Sequence, residues 1–546
     1  MLPLSSARPF PAARPLPRLT STTPLLHGLS PHDRRLFAAF GQGPAAPLPH
    51  TLVHHAVERW ATATPHAVAA EHEGARITYG ALDRMADQLA ARLVRLGVRP
   101  GDRVGLFVRR SIPMLVGLLG TLKAGAAYVP QDIGLTPAAQ LRHVVGAAGI
   151  RVVLTQGRYA HRVPTSDGLV RISVDDVDEL PAQRPGRPSH RLPHPTAATW
   201  EAGPARETRP DDGCYVLFTS GTTGTPNGVT VTHRNVCNLL LTTPGNLGIG
   251  PGQRVAQLLN IAFDMAAWEI LGCLTGGGTL VIRGKDIAQT ARAADVLIAT
   301  PTVLAGIDPA ACPKVKTVAV AGEPCPRPLA DLWARSRTFY NCCGPTETTI
   351  VNTMQRHRLD AARLTIGRPT PNNTVYVLDE DRRPVPIGES GEMWAGGDGI
   401  SAGYLGNPAL TDERYAPDPF LGGSRRMFRT RDLGRWTPDG ELEHLGRTDD
   451  QVKVRGFRVE LDSVSAVLES LPGCARAVTL RRDARDLVSF VCPQDVDPEA
   501  ARSAVAEALP YYCVPAAVLP LASLPETDRG KTDKRALLRL AAGVGR

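Results

Sequence analysis

The chemistry in this chain begins at Tyr215-Val216-Leu217-Phe218-Thr219-Ser220-Gly221-Thr222-Thr223-Gly224-Thr225-Pro226-Asn227-Gly228, where an apolar run breaks into hydroxyls and glycines. Such a stretch predicts a strand feeding a loop. Its backbone N–H groups turn inward on the glycines, and Ser220, Thr222 and Thr223 add hydroxyl donors for phosphate oxygens. An ordinary Ser/Thr/Gly turn has the same composition, so the loop alone leaves both readings open. A Walker loop is excluded: Gly530-Lys531-Thr532 is the nearest string, and Pro525 stands where its first glycine belongs.

Two acidic positions stand out further along. Asp264 lies inside Phe263-Asp264-Met265-Ala266-Ala267-Trp268-Glu269-Ile270, an apolar stripe where a carboxylate is costly unless a cation meets it. The alternative is a helix N-cap. Glu347 follows the tight turn Gly344-Pro345-Thr346 and has the hard oxygen that a divalent cation such as Mg²⁺ prefers. The stretch Gly446 to Leu461 alternates charges with valines and is also compatible with a simple exposed hairpin. Gly399-Ile400-Ser401-Ala402-Gly403 matches a hydrolase elbow by letter, but no buried strand and following helix flank it.

These residues need a scaffold, and 546 residues exceed one compact core, so two or more folding units are expected. Leu82, Met85, Leu89, Leu93 and Leu96 recur at helical spacing before Gly97 and Pro100. Short apolar runs at 104–108, 152–154, 279–282, 296–299 and 318–320 alternate with helix-length segments, the pattern of mixed α/β layers. Pro181 to Pro210 reads as a long surface connection. The net charge of +9 is spread along the chain, which argues against nucleic acid as a partner. The ten cysteines show no metal-binding spacing and suit a reducing, cytoplasmic setting. Glycines and Lys123 interrupt the best apolar run, so no membrane helix is expected.

Taken in order, several strings resemble the motif series of the adenylation domains of nonribosomal peptide synthetases, within the class of acyl- and aryl-CoA ligases and luciferases. They are Ile77-Thr78-Tyr79, Leu122 to Pro130, the 215–228 stretch, Phe263-Asp264, Gly344-Pro345-Thr346-Glu347, Gly391-Glu392 with Gly403-Tyr404, Phe428 to Leu433, Gly446 to Glu460, Leu509-Pro510-Tyr511 and Gly530-Lys531. The resemblance implies an α/β fold with a large N-terminal portion built of subdomains and a small mobile α+β C-terminal domain. The expected boundaries are a poorly ordered leader over 1–49, with a short helix near Asp33 to Phe40, a core over 50–448, and the mobile domain over 449–546, hinged at Asp449.

The implied activity is ATP-dependent formation of an aminoacyl-adenylate, followed by transfer to the phosphopantetheine thiol of a peptidyl carrier protein, with a small helper protein as a further partner. By resemblance, Thr219, Ser220, Gly221, Thr222, Thr223 and Gly224 hold ATP phosphates, and Gly322, Glu323, Cys343 and Gly344 border the nucleotide. Thr346 meets the α-phosphate, Glu347 binds Mg²⁺, Asp432 and Arg447 serve the ribose, Lys453 arrives with the moving domain, and Lys531 is the catalytic cation. The amino acid faces Asp264 through its ammonium and Met265, Trp268, Ile298, Ala319, Ala321, Cys342, Ile350 and Val351 through its side chain, so an uncharged, mainly apolar residue is expected. The chain departs from the family at Asn227, where a lysine is usual, at Cys343, where an aromatic ring is usual, and at Arg431, where glycine is usual. An acid–CoA ligase, which Asp264 disfavours, and a degenerate scaffold without catalysis are the competing readings.

Overall fold

The computed structural model describes residues 16–20, 24–176, 207–220, 225–449, 451–483, 485–525 and 532–543. The expected connection over 181–210 therefore falls mostly outside the described residues. A seven-stranded sheet runs in the order 403–404, 227–232, 213–219, 127–132, 103–108, 152–155, 170–173, and a nine-stranded sheet in the order 368–369, 353–357, 338–343, 317–320, 296–299, 254–257, 279–282, 68–72, 75–78. Both centres are parallel, as alternating strands and helices require.

Strand periodicity decides which core each side chain enters. Val104, Leu106 and Val108 join the large core that both sheets share, while Phe107 between them points into a second cluster with Val129 and Val153. Val296 and Ile298 enter that same large core, and their neighbours Leu297 and Ala299 pack with Trp333 on the other side. The predicted helix spans Tyr79–Arg95 and buries Leu82, Met85, Leu89 and Leu93; Leu96 forms its C-cap. Among the described residues no helix is long and apolar enough to cross a membrane.

The expectation of a poorly ordered leader over 1–49 is corrected for its second half; residues 1–15 lie outside the described residues. The helix Pro31–Phe40 is capped by the Ser30 hydroxyl, which accepts from the Asp33 N–H. Phe37 is 1 % exposed, stacks on Tyr376 at 5.7 Å and meets Phe420 at 5.3 Å. Gly43 N–H donates to the Asn373 carbonyl, and Asn372 Nδ2 donates to the Ala46 carbonyl. The proline-rich composition concealed a segment whose few large side chains fill a pocket in another sheet.

That other sheet runs 373–378, 391–397, 426–436, 415–417, with 442–447 also paired to 426–436. Beyond it, the hairpin Gln451–Val454 and Phe457–Glu460 leads to a helix at Leu461–Glu469 and a three-stranded sheet of 476–481, 487–492 and 517–520. The apolar clusters of this last region share no residue with the large core. Phe37→Ala is expected to cost about 3–5 kcal/mol and to speed tryptic cleavage at Arg34 and Arg35; unchanged cleavage would mean that backbone bonds alone hold the segment.

Candidate active site

A cavity of about 660 Å³ opens where strands of both sheets end. Thr219 ends the strand 213–219 and Ser220 follows it, Ala321 to Glu323 follow 317–320, and Gly344 to Thr346 follow 338–343. Ligands in open α/β sheets gather at such carboxyl ends because the chain leaves the sheet there with free backbone groups. Gly322 has φ +86, a left-handed conformation that glycine adopts without strain.

Asp264 opens the helix Asp264–Gly276, one residue inside the N-cap Phe263, so the N-cap alternative does not hold. Its Oδ2 accepts from the Thr346 hydroxyl at 2.7 Å. Burial pushes its carboxyl above the ordinary range, against the pull of the Thr346 hydrogen bond and the Lys453 ammonium. Asp432 is pinned from the opposite wall, where Arg447 Nη1 lies 2.6 Å and His444 Nε2 3.3 Å from Oδ1. Burial works to raise Asp432, yet the His444 hydrogen bond and the Arg447 charge hold it net below its usual range. Arg447 also grips Asp449 through Nε at 2.8 Å and Nη2 at 3.0 Å.

Glu347 is 0 % exposed and sits behind the cavity wall. Its Oε1 accepts from the Tyr404 hydroxyl at 2.7 Å and from Arg458 Nη1 at 3.1 Å, and Nη1 also reaches Oε2 at 3.4 Å. Burial alone would raise this carboxyl; Arg458 and Arg414 bring it below its usual value. The expected Mg²⁺ does not fit here as the groups stand. A guanidinium already neutralises the carboxylate, and the Tyr404 hydroxyl takes a further site on Oε1.

Arg458 comes from the hairpin that fills one side of the cavity. Arg455 (φ +52) and Gly456 (φ +84) form its two-residue turn, both left-handed as a tight hairpin demands. A Cβ on Gly456 would lie 2.6 Å from Thr300 Cγ2, so only glycine permits this approach. Phe457 stacks on Tyr512 at 4.3 Å and meets Phe263 at 4.6 Å, and Ser220 Oγ donates to the Arg458 carbonyl at 3.1 Å.

Of the residues expected at the site, Thr219, Ser220, Asp264, Met265, Ala321, Gly322 and Glu323 line this one cavity. Cys342, Cys343, Gly344, Thr346, Ile350, Asp432, Arg447, Asp449 and Lys453 line it too. Gly221, Thr222, Thr223, Gly224 and Lys531 lie outside the described residues. Four of the expected side-chain-pocket positions do not line this cavity. Trp268 is fully buried and donates its indole N–H to the Gly245 carbonyl at 2.7 Å, while Ile298, Ala319 and Val351 are core residues absent from the lining. Helical periodicity turns Trp268 inward and strand periodicity Ile298 and Ala319, while Val351 is buried in the turn before the strand 353–357. Asn227 is likewise off the lining, its Oδ1 accepting from Asn407 Nδ2. Burial raises the Cys343 thiol to about 12, so it meets the cavity as a neutral group.

Three participants had no assigned role in the sequence: Arg458, His444 and Tyr404. Arg458 left a signal, because Lys453 and Arg458 are cross-strand partners in the hairpin. Two cations directly opposite each other repel unless anions face them.

The description "AMP-binding enzyme" matches residues 57–405. The chain is 48 % identical over 520 residues to adenylate-forming reductase 06235 of Coprinopsis cinerea, covering 95 % of this chain and 49 % of that protein. It thus spans about half the length of that relative. The isonitrile lipopeptide synthase of Mycobacterium tuberculosis is 39 % identical over 87 % of this chain, which covers 19 % of that protein. Among solved structures, holo-PA1221, a nonribosomal peptide synthetase protein containing adenylation and carrier (PCP) domains bound to a vinylsulfonamide inhibitor, superposes with a TM-score of 0.76 at 26 % identity. The superposition covers 90 % of this chain and 84 % of that one.

Arg431, which replaces a family glycine, sits at φ +61. An L-residue there pays roughly 1–2 kcal/mol of left-handed strain. Its Nη2 lies 2.7 Å from Glu413 and its Nη1 3.7 Å from Asp449, pairs that offset part of that cost. Arg431→Gly is therefore expected to raise stability by about 0.5–1 kcal/mol in thermal unfolding; a lower Tm would mean that the pairs outweigh the strain.

Proposed function

The chain belongs to the AMP-binding enzymes, in the adenylation type found in nonribosomal peptide synthetases, and we propose that it activates an amino acid as its adenylate and passes the acyl group to a carrier-protein thiol. The observation that carries this reading is Asp264, a half-buried carboxylate on the cavity wall whose Oδ2 accepts from the Thr346 hydroxyl. Its surroundings of Met265, Ala321, Cys342 and Ile350 offer no charge. An ammonium docked beside Asp264 would restore the charge balance that burial upsets, and a charged substrate side chain among those walls would lack a partner.

In the first step a carboxylate oxygen of the amino acid attacks the α-phosphorus of ATP, and the bond to pyrophosphate breaks. Asp432, with both protein contacts on Oδ1, keeps Oδ2 for a ribose hydroxyl. Thr219 and Ser220 lead into the phosphate loop, and Lys531 is proposed as the cation that meets the charge growing on the α-phosphate. Magnesium is expected of such a reaction, but Glu347 is occupied in this arrangement, so no step is routed through it. In the second step the thiol sulfur attacks the acyl carbonyl carbon, its proton passes to solvent, and AMP departs. The docked hairpin suits this second step, since Lys453 stands close enough to Asp264 and Asp432 to feel their charge and can receive the phosphate of the departing AMP.

A second reading is favoured by the relatives named adenylate-forming reductases, 48 % and 46 % identical over 95 % of this chain. In it the same two steps load an acid that a reductase activity outside the aligned half then reduces.

Pyrophosphate exchange across amino acids and simple carboxylic acids tests the substrate. The strongest exchange is expected with an uncharged, apolar amino acid and is expected to fall at least a hundredfold in Asp264→Ala. Highest exchange with Asp, Glu, Lys or Arg, or full activity in the variant, would reject this pocket. The hairpin is tested by Gly456→Ala, which is expected to slow thioester formation on a carrier at least tenfold while exchange persists; equal loss of both would mean that the hairpin serves the first step as well.

A further inference from the structure

We infer that Arg458 is a built-in alternative occupant of Glu347, a positioning residue that fills the carboxylate when the hairpin docks and must leave before a divalent cation can bind there. The inference rests on the reading of Glu347 as the residue that meets metal in the first step.

The geometry leaves no room for sharing. Tyr404 and Arg458 both bond Oε1, and the same Arg458 nitrogen reaches Oε2, so the guanidinium spans both carboxylate oxygens. The guanidinium is held from its other side by Glu460 Oε1 at 3.2 Å from Nε, and its backbone carbonyl by Ser220. A divalent cation bound to Glu347 would face this guanidinium at contact distance, and the Glu460 carboxylate that also bonds the guanidinium offsets only part of that repulsion. Conversely, a fully buried Glu347 without either cation would keep only the Tyr404 hydroxyl and the charge of Arg414. Arg458 supplies the larger share of that compensation, which a bound cation would have to replace.

The hairpin shows the same exchange in its own register. Lys453 and Arg458 project as a like-charged cross-strand pair, an arrangement tolerable only against anions. Glu347, behind the cavity wall, meets Arg458, and Asp264 and Asp432 on the lining lie near enough to Lys453 to feel its charge. Docking thus delivers two positive charges into the region where the first step would need metal and Lys531, and undocking removes them. The two steps become mutually exclusive by charge rather than by shape alone.

The test uses the full chain and Mn²⁺ with α,β-methylene-ATP, so it needs no knowledge of the amino acid. Mn²⁺ binding is followed by electron paramagnetic resonance, and hairpin docking by hydrogen–deuterium exchange of the amides in 451–460. In the wild-type protein, saturating Mn²⁺ and nucleotide should raise hairpin exchange. Arg458→Gln should bind Mn²⁺ at least tenfold more tightly and show high hairpin exchange without ligand, and Arg458→Lys should lie between. Phe457→Ala, which loosens the hairpin through its ring contacts instead, should tighten Mn²⁺ as well. Equal Mn²⁺ affinity in wild type, Arg458→Gln and Phe457→Ala, or hairpin exchange indifferent to metal and nucleotide, would overturn the interlock. Absence of pyrophosphate exchange with every acid, alongside the expected Mn²⁺ behaviour, would instead overturn the proposed function and leave the interlock standing.

Discussion

A carboxylate with no exposed surface has to be matched by a cation that reaches it through the protein, and Glu347 sets that demand on everything around it. It lies in a short helical turn after Gly344-Pro345, where the chain leaves a parallel strand, so it cannot swing out to water. The guanidinium that answers it comes from position 458, on a hairpin with its own small sheet behind it. The ion pair consequently links the large N-terminal portion to the C-terminal region. Arg414, stacked over Phe428 and coupled to the same carboxylate, adds a second positive neighbour.

The hairpin meets that demand because of details that are individually small. Its turn places two successive residues in the left-handed region, and Arg455 is held there by the Arg485 carbonyl and the Asp486 carboxylate. Gly456 approaches Thr300 as no other residue could. Three aromatic rings, Phe263, Phe457 and Tyr512, close the seam beside the cavity. Ring contacts of this kind stabilise modestly beyond the area that they bury, which suits a contact that must form and break.

The hinge side is built from charges in series. Arg447 bridges Asp432, Asp449 and Gln451, so the group that is expected to meet ribose and the residue expected to turn the domain share one guanidinium. Arg431 joins the same network at a strained backbone position. Strain held at such a point is common where a chain must adopt more than one arrangement.

What the sequence determined by itself was the alternation of strands and helices, the strand-to-loop break at Thr219, the tight turn at Gly344-Pro345, and the acidic pair Asp264 and Glu347, because these follow from local periodicity and from residue types that are costly to bury without a reason. The family resemblance rested on ordered strings and was likewise local. Only the tertiary structure decided that Trp268, Ile298, Ala319 and Val351 belong to the core, that the Leu26, Leu29 and Phe37 side chains fasten the leader to a distant sheet, and that Glu347 faces Arg458. Each of these depends on which face of an element is turned toward which neighbour across a separation of up to several hundred residues. A one-dimensional pattern records that a side chain is apolar or charged; it does not record whether the opposite wall is a cavity, a ring or a guanidinium, and that difference decides what each residue does here.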